Sequence, residues 1–176
     1  MTTENRIQSW NTQLQEVRSR SPGTGVASPA DLRSRSGVEF FDAVGRGQLP
    51  MPPISETLDF WPVEWEPGRM VFQGMPAKAH YNPLGSVHGG WIAAILDSAV
   101  GCAVHSALPA GTGYTTVELK INYVRVVTAE SGPLRAEGKV IHVGKQVATA
   151  EGRLQDAKGN LYAHASTTCL VFTLPE

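Results

Sequence analysis

Cysteine is scarce in this sequence: two in 176 residues, Cys102 and Cys169, each inside an apolar stretch and far from the other. With no CxxC pair and no Cys/His spacing, nothing here suggests a metal site. Two isolated thiols in apolar surroundings fit free, buried groups in a reducing compartment, so the cytoplasm is the default location. An excess of charge of one sign is missing too. Fifteen Lys and Arg against sixteen Asp and Glu leave a net charge of −1, which gives no electrostatic reason to expect nucleic acid or an anionic membrane as the partner. No apolar run approaches the roughly 20 residues that span a bilayer. The opening Met-Thr-Thr-Glu-Asn-Arg leads into a polar segment without the apolar stretch of a secretory signal. What is left is an ordinary globular composition, at a length that suits one domain with a sizeable core and is short for two.

Two grammars divide the chain. In the first third, Ile7, Trp10, Leu14 and Val17 recur at spacings of three, four and three, a thin helical stripe. A Ser-, Gly- and Pro-rich stretch from Ser19 to Pro29 reads as a linker. Ser28-Pro29 is an N-cap followed by proline at the first helical position, so a short helix is expected there. Gly37 to Gly47 reads as a second short helix, and Pro50, Pro52 and Pro53 as an extended connector. From Thr57 the pattern becomes that of strands: Leu58–Glu66, Arg69–Gly74, then, after a long helix, Tyr114–Val127, Leu134–Val143, Val147–Gln155 and Leu161–Phe172. In the run after the helix, alternation sets Val117, Leu119, Ile121 and Tyr123 on one face and Thr116, Glu118, Lys120 and Asn122 on the other. Strands clustered around one helix predict an α+β domain whose antiparallel sheet wraps that helix.

The long helix, Gly89 to Ser106, carries Ile92, Ile95, Leu96, Ala99, Val100, Ala103 and Val104 as a continuous apolar stripe. Its other side holds only small residues, Ala93, Ala94, Ser98 and Gly101, which predicts burial all round. Asp97 is the only charged side chain between Gly89 and Val104. Positions three and four residues away are Ala93, Ala94, Val100 and Gly101, so it has no partner on its own helix. An unpaired carboxylate in such a place costs several kcal/mol, on the order of a lost buried ion pair. Immediately before the helix stands Val87-His88-Gly89-Gly90. Glycines are poor helix formers, but they let a ligand approach the free backbone N–H groups at a positive helix end. That geometry suits a carbonyl oxygen that gains negative charge during acyl transfer.

Asn82-Pro-Leu-Gly85-Ser-Val-His88-Gly89-Gly90, with Asp97 nine residues beyond the histidine, resembles the signature of the hotdog-fold acyl-CoA thioesterases of the PaaI-like family. The resemblance covers residues 37–176, including Thr115-Thr116-Val-Glu-Leu-Lys-Ile-Asn-Tyr and Val143-Gly144-Lys145. It leaves residues 1–36 as an N-terminal extension, partly helical with a linker. It implies an α+β hotdog fold, an antiparallel sheet wrapped around a long central helix, assembled as a homodimer or as a homotetramer that is a dimer of dimers. It also implies active sites at the dimer interface and hydrolysis of acyl-CoA thioesters with aromatic or medium-chain acyl groups, with no cofactor and no metal. On this resemblance Asp97 is the base that activates water, or the direct nucleophile. The Gly89 N–H polarises the thioester carbonyl, and His88 and Asn82 orient the reacting groups. A hydroxyl from Thr116, or else Thr115, comes from the other subunit. Gly90, Arg125, Gly144 and Lys145 form the substrate-binding set, the two cations facing the CoA phosphates. Phe40, Phe41 and the proline-rich connector are placed to narrow the acyl pocket.

Two other activities fit parts of the pattern. A hotdog enoyl-CoA hydratase would need its His and Asp close together in a loop, whereas Asp97 lies within the helix. A non-catalytic acyl-CoA-binding hotdog protein would have no use for a buried base beside His88 and Gly89.

Overall fold

The computed structural model describes residues 2–175. Four helices come first: α1 (Thr3–Arg20), α2 (Pro29–Ser34), α3 (Gly37–Gly45) and α4 (Pro53–Thr57). Strands β1 (Phe60–Glu66) and β2 (Arg69–Gly74) precede the long helix α5 (Gly89–Ser106). Strands β3 (Thr112–Tyr123), β4 (Leu134–Val143), β5 (Val147–Asp156) and β6 (Leu161–Thr173) follow it. All six strands form one antiparallel sheet in the order β1-β2-β4-β5-β6-β3. The strand that follows α5 therefore crosses to the far edge of the sheet.

The sheet curls around α5. Ile95, Leu96, Val100 and Val104 of the apolar stripe are fully buried against it, each such side chain contributing about 2 kcal/mol. Gly138 of β4 and Gly152 of β5 face each other across the strand pair and let the helix press in. A Cβ on Gly138 would lie 2.2 Å from the Ala99 carbonyl oxygen, and one on Gly152 would lie 2.6 Å from Val100. The opposite side of α5 departs from the expectation of complete burial. Ala93, Ala94, Asp97 and Ser98 are only half-buried in the single chain, because the sheet covers one side of the helix and leaves this one open.

The N-terminal helices cover part of the sheet's outer face. Along β2, Met70 and Phe72 point toward α5, whereas Val71 points away and packs with Leu14 and Val17 of α1 and with Val63. Arg135 on that face stacks on Trp10, 4.4 Å from the ring centre, and donates to Gln13 and Glu64 at 2.7 Å each. The thin stripe read in residues 7–17 is thus the inward side of α1.

The two largest departures from the sequence reading are at the end of β3 and in the proline-rich connector. Strand β3 stops at Tyr123 rather than Val127, because the N–H groups of Val124 and Arg125 both turn to the Tyr162 carbonyl, at 2.9 and 3.1 Å. Val124 and Val126 are left exposed while Val127 tucks into the core. Pro53–Thr57 is a helical turn instead of extended chain, with proline at a position where its missing N–H costs nothing.

Candidate active site

Asp97 sits mid-helix on the half-open side of α5 and accepts one hydrogen bond, from Thr116 Oγ1 of the same chain at 3.1 Å. Simple alternation would turn Thr116 away from Leu119 and Ile121, which pack into the core. A β-bulge resolves the conflict. Thr116 pairs with Cys169 and Glu118 with Thr168, so Val117 has no opposite number in β6. The extra residue shifts the phase of the strand. Tyr114, Thr116, Leu119 and Ile121 all face the helix, and Val117 is pushed outward to 60% exposure. Val117 therefore does not share a face with Leu119, contrary to the alternation read from the sequence. Within one chain, the hydroxyl that meets Asp97 is its own Thr116.

At the start of α5, His88 is the N-cap. Its Nδ1 accepts the Gly90 N–H at 2.8 Å, so in the neutral ring the proton resides on Nε2 of this exposed side chain. A Cβ at position 90 would stand 2.9 Å from Nδ1, so glycine is what lets the imidazole fold back. This uses up the Gly90 N–H. Of the four donors at the start of α5, those of His88, Gly90 and Trp91 are bonded, and the Gly89 N–H has no acceptor among the described residues. Asn82 makes its hydrogen bonds within its own loop. Its Oδ1 accepts from Leu84 N and Ser86 N at 2.9 and 3.3 Å, and its Nδ2 donates to Ser86 Oγ at 3.0 Å. It shapes the loop that delivers His88. Sequence reasoning gave no role to Tyr123, whose hydroxyl donates to the Gly89 carbonyl at 3.2 Å and ties the end of β3 to the start of α5.

A cleft of about 350 Å³ opens beside Gly89, lined by Ser86, Ile92, Tyr123 and Arg125 among others. The Arg125 guanidinium lies 5.7 Å from the Tyr162 ring centre. Gly144 and Lys145 are not part of this cleft. They form the β4–β5 turn, where the Gly144 N–H donates to the Val147 carbonyl at 2.8 Å and Lys145 is exposed. That turn extends past the C-terminal end of α5, since Val140 bonds to Gly68, which in turn bonds to Ser106 at the last residue of the helix. One chain thus spreads the candidate residues over three levels. Asn82, His88, Gly89, Gly90 and Arg125 lie at the start of α5, Asp97 and Thr116 midway, and Gly144 and Lys145 beyond its end.

Cys102, next to Tyr114 and one turn from Asp97, is not a competing nucleophile. Burial pushes its thiol up to about 12, and the negative charge of Asp97 acts in the same direction, so the thiolate is absent near neutral pH. Among the described residues no group of three or more His, Cys, Asp or Glu is placed to hold a metal ion, and no helix is long and apolar enough to cross a membrane.

The family description "Thioesterase superfamily" matches residues 84–163, which include His88, Gly89, Asp97 and Thr116. A protein of Saccharolobus solfataricus, provisionally named an esterase, is 35% identical over 113 residues, spanning 64% of this chain and 78% of its own length. A solved structure from Ralstonia eutropha, provisionally described as a thioesterase related to phenylacetic acid degradation, is 29% identical. It superposes with a TM-score of 0.67, covering 74% of this chain and 98% of the other. A Streptococcus mutans protein solved bound to acetyl-CoA shares the fold, with 23% identity and a TM-score of 0.60 over 66% of this chain and 91% of its own. Sequence motif, wrapped helix and relatives converge: the chain belongs to the thioesterase superfamily and has the hotdog fold of its PaaI-like members.

Proposed function

We propose that this protein hydrolyses acyl-CoA thioesters in a site shared by two copies of the chain, with Asp97 as the base or nucleophile. The observation that carries the reading is the state of Asp97. It is the one charge on a helix otherwise free of charged residues from Gly89 to Val104, and Thr116 is its sole protein donor among the described residues. A carboxylate accepts up to about four hydrogen bonds, so most of its capacity is turned toward the open side of the helix. There it can take a proton from water or attack the thioester carbon directly.

The need for a second copy follows from helix geometry. Gly89 and Asp97 are eight residues apart on one helix, which separates them by about 12 Å along the axis. A carbonyl held at the Gly89 N–H is then out of reach of the same chain's Asp97. The three levels of site residues come together if α5 of one copy runs antiparallel to α5 of another. Strand β3 supplies a means: it is an edge strand twelve residues long, and an unpaired edge of that length is a template for pairing. Two β3 strands related by a two-fold axis pair antiparallel and bring the helices into the same relation. The start of one α5 then lies beside Asp97 of its partner, and the long CoA moiety can reach Arg125 at that helix start or Lys145 at a turn further off with its phosphates. The acetyl-CoA bound by the Streptococcus mutans relative supports CoA as the carrier, and pairing of dimers into a tetramer is compatible with this arrangement.

Thiol release from a panel of alkyl- and aryl-CoA substrates tests the activity. The shared site is tested by subunit mixing. Asp97→Asn removes the carboxylate. Gly89→Pro removes the N–H at a first-turn position that accepts proline, after a residue whose φ and ψ of −61° and 138° suit it. Each variant alone is expected to be nearly inactive. An equal mixture, after subunit exchange, recovers about a quarter of native activity, because half the dimers are mixed and each then holds one intact site of two. No recovery despite demonstrated exchange would remove the shared site, and full activity of Asp97→Asn alone would remove Asp97 from the reaction.

A further inference from the structure

A second cavity, of about 360 Å³, lies against the C-terminal half of α5. Its inner wall is Cys102 and His105 of the helix, Tyr114 of β3 and Phe72 of β2; its outer wall is drawn from residues 25–53, chiefly Ala27, Leu32, Phe40, Phe41 and the prolines of the connector. That outer wall lies outside residues 84–163, the stretch matched by the superfamily. No Asp, Glu, Lys or Arg lines the space. The ring of His105 is packed against Phe40, Phe41 and Tyr114 at 5.3–5.5 Å between ring centres, and burial lowers its pKa to about 4, so it is neutral at physiological pH.

The cavity neighbours the candidate site along α5 and β3. Tyr114 is two residues from Thr116 on the helix-facing side of β3, and its ring lies over Gly101, one turn from Asp97. His105 is two turns further along that same side of α5, about 12 Å from Asp97 along the axis. Resting on the thioesterase reading above, we infer that this cavity receives the distal part of the acyl group, and that the substrates are medium-chain, uncharged aliphatic thioesters. A ring joined directly to the reacting carbonyl ends short of His105, whereas a flexible chain extends past Tyr114 into the space. The neutral lining has nothing to hold an ω-carboxylate or an amino group, and burying either there would be costly. An apolar lining with a few polar groups is what a pocket for such a tail requires.

The test compares kcat/KM for thiol release from butyryl-, octanoyl-, decanoyl- and benzoyl-CoA in the full-length protein. The native chain is expected to favour octanoyl-CoA over butyryl- and benzoyl-CoA. Ala27→Trp fills the outer wall from a surface segment and is expected to lower the octanoyl-to-butyryl ratio by about tenfold or more, the scale of a lost methylene-sized fit. Leu32→Ala enlarges the cavity without adding bulk and is expected to raise the decanoyl-to-octanoyl ratio. Hydrolysis that prefers benzoyl-CoA, or ratios moved by neither variant, overturns this inference while leaving the thioesterase reading intact. Absence of thiol release with every substrate overturns both.

Discussion

Two aspartates in this protein are placed in opposite circumstances. Asp156, at the β5–β6 turn, is buried, and its carboxylate accepts from Lys158 N, Asn160 N and Asn160 Nδ2 at 2.8–2.9 Å, with the Tyr162 hydroxyl at 3.4 Å. Burial works against its charge, yet the hydrogen bonds from Asn160 and Lys158 prevail and hold it below the usual carboxylate range. Asp97 is half-buried on a helix without a charged neighbour and has Thr116 alone. A carboxylate used to hold a turn is saturated with donors. One intended for a ligand keeps its acceptor capacity open. The difference in saturation separates structure from chemistry where residue type does not.

The sharpest way to break the comparison is to exchange the consequences of losing each acid. Asp97→Asn is expected to lower kcat for acyl-CoA hydrolysis by about 100-fold or more, on the scale of general acid–base catalysis, with little change in melting temperature. Asp156→Ala should do the reverse. It strands buried donors and lowers stability by about 2 kcal/mol, read by urea unfolding, while turnover per folded molecule is kept. Next in size is the single donor on Asp97. Thr116→Val is expected to reduce kcat about tenfold, in line with a hydrogen bond to a charged group, and Thr116→Ser to restore most of it; equal loss in both would assign the threonine to packing. The acid response sharpens the contrast further. A carboxyl group depressed in the folded state stabilises fully above its ordinary value of 3.8 and loses that contribution as pH falls through the lower native value. Unfolding measured from pH 5 downward should therefore be steeper in the native chain than in Asp156→Asn. The smallest effect belongs to the rim. Lys145→Ala is expected to raise KM for acyl-CoA only a few-fold and to weaken its salt dependence, as exposed charges do.

Much of this arrangement was legible in the sequence where side-chain pattern and backbone state coincide. Helix α5 begins at Gly89 and ends at Ser106 as read, because His88 caps it and one apolar stripe runs its length. Asp97 stood out because charge within such a stripe is costly. What stayed hidden depended on where backbone groups bond. Val124 and Val126 look like strand residues, but the chain leaves the sheet for the Tyr162 carbonyl. The motif did not show that Asn82 also holds its own loop, through Leu84 and Ser86. The resemblance singled out the Gly89 N–H, and the fold adds the reason Gly90 differs: its N–H is taken by His88. The stripe on α1 announced a helix without saying which surface of the sheet it would cover.

The bulge at Val117 divides β3 into two segments of opposite parity. Upstream of it the even-numbered positions, Tyr114 and Thr116, look inward; downstream the odd-numbered ones, Leu119 and Ile121, do so. Loss of that single codon would leave the composition of the strand almost unchanged while forcing a choice between Thr116 beside Asp97 and Leu119 in the core. The spacing between a hydroxyl and a leucine thus matters as much as either residue, and tolerance to insertion or deletion in this strand should be far narrower than tolerance to substitution at the outward-facing Val117 itself.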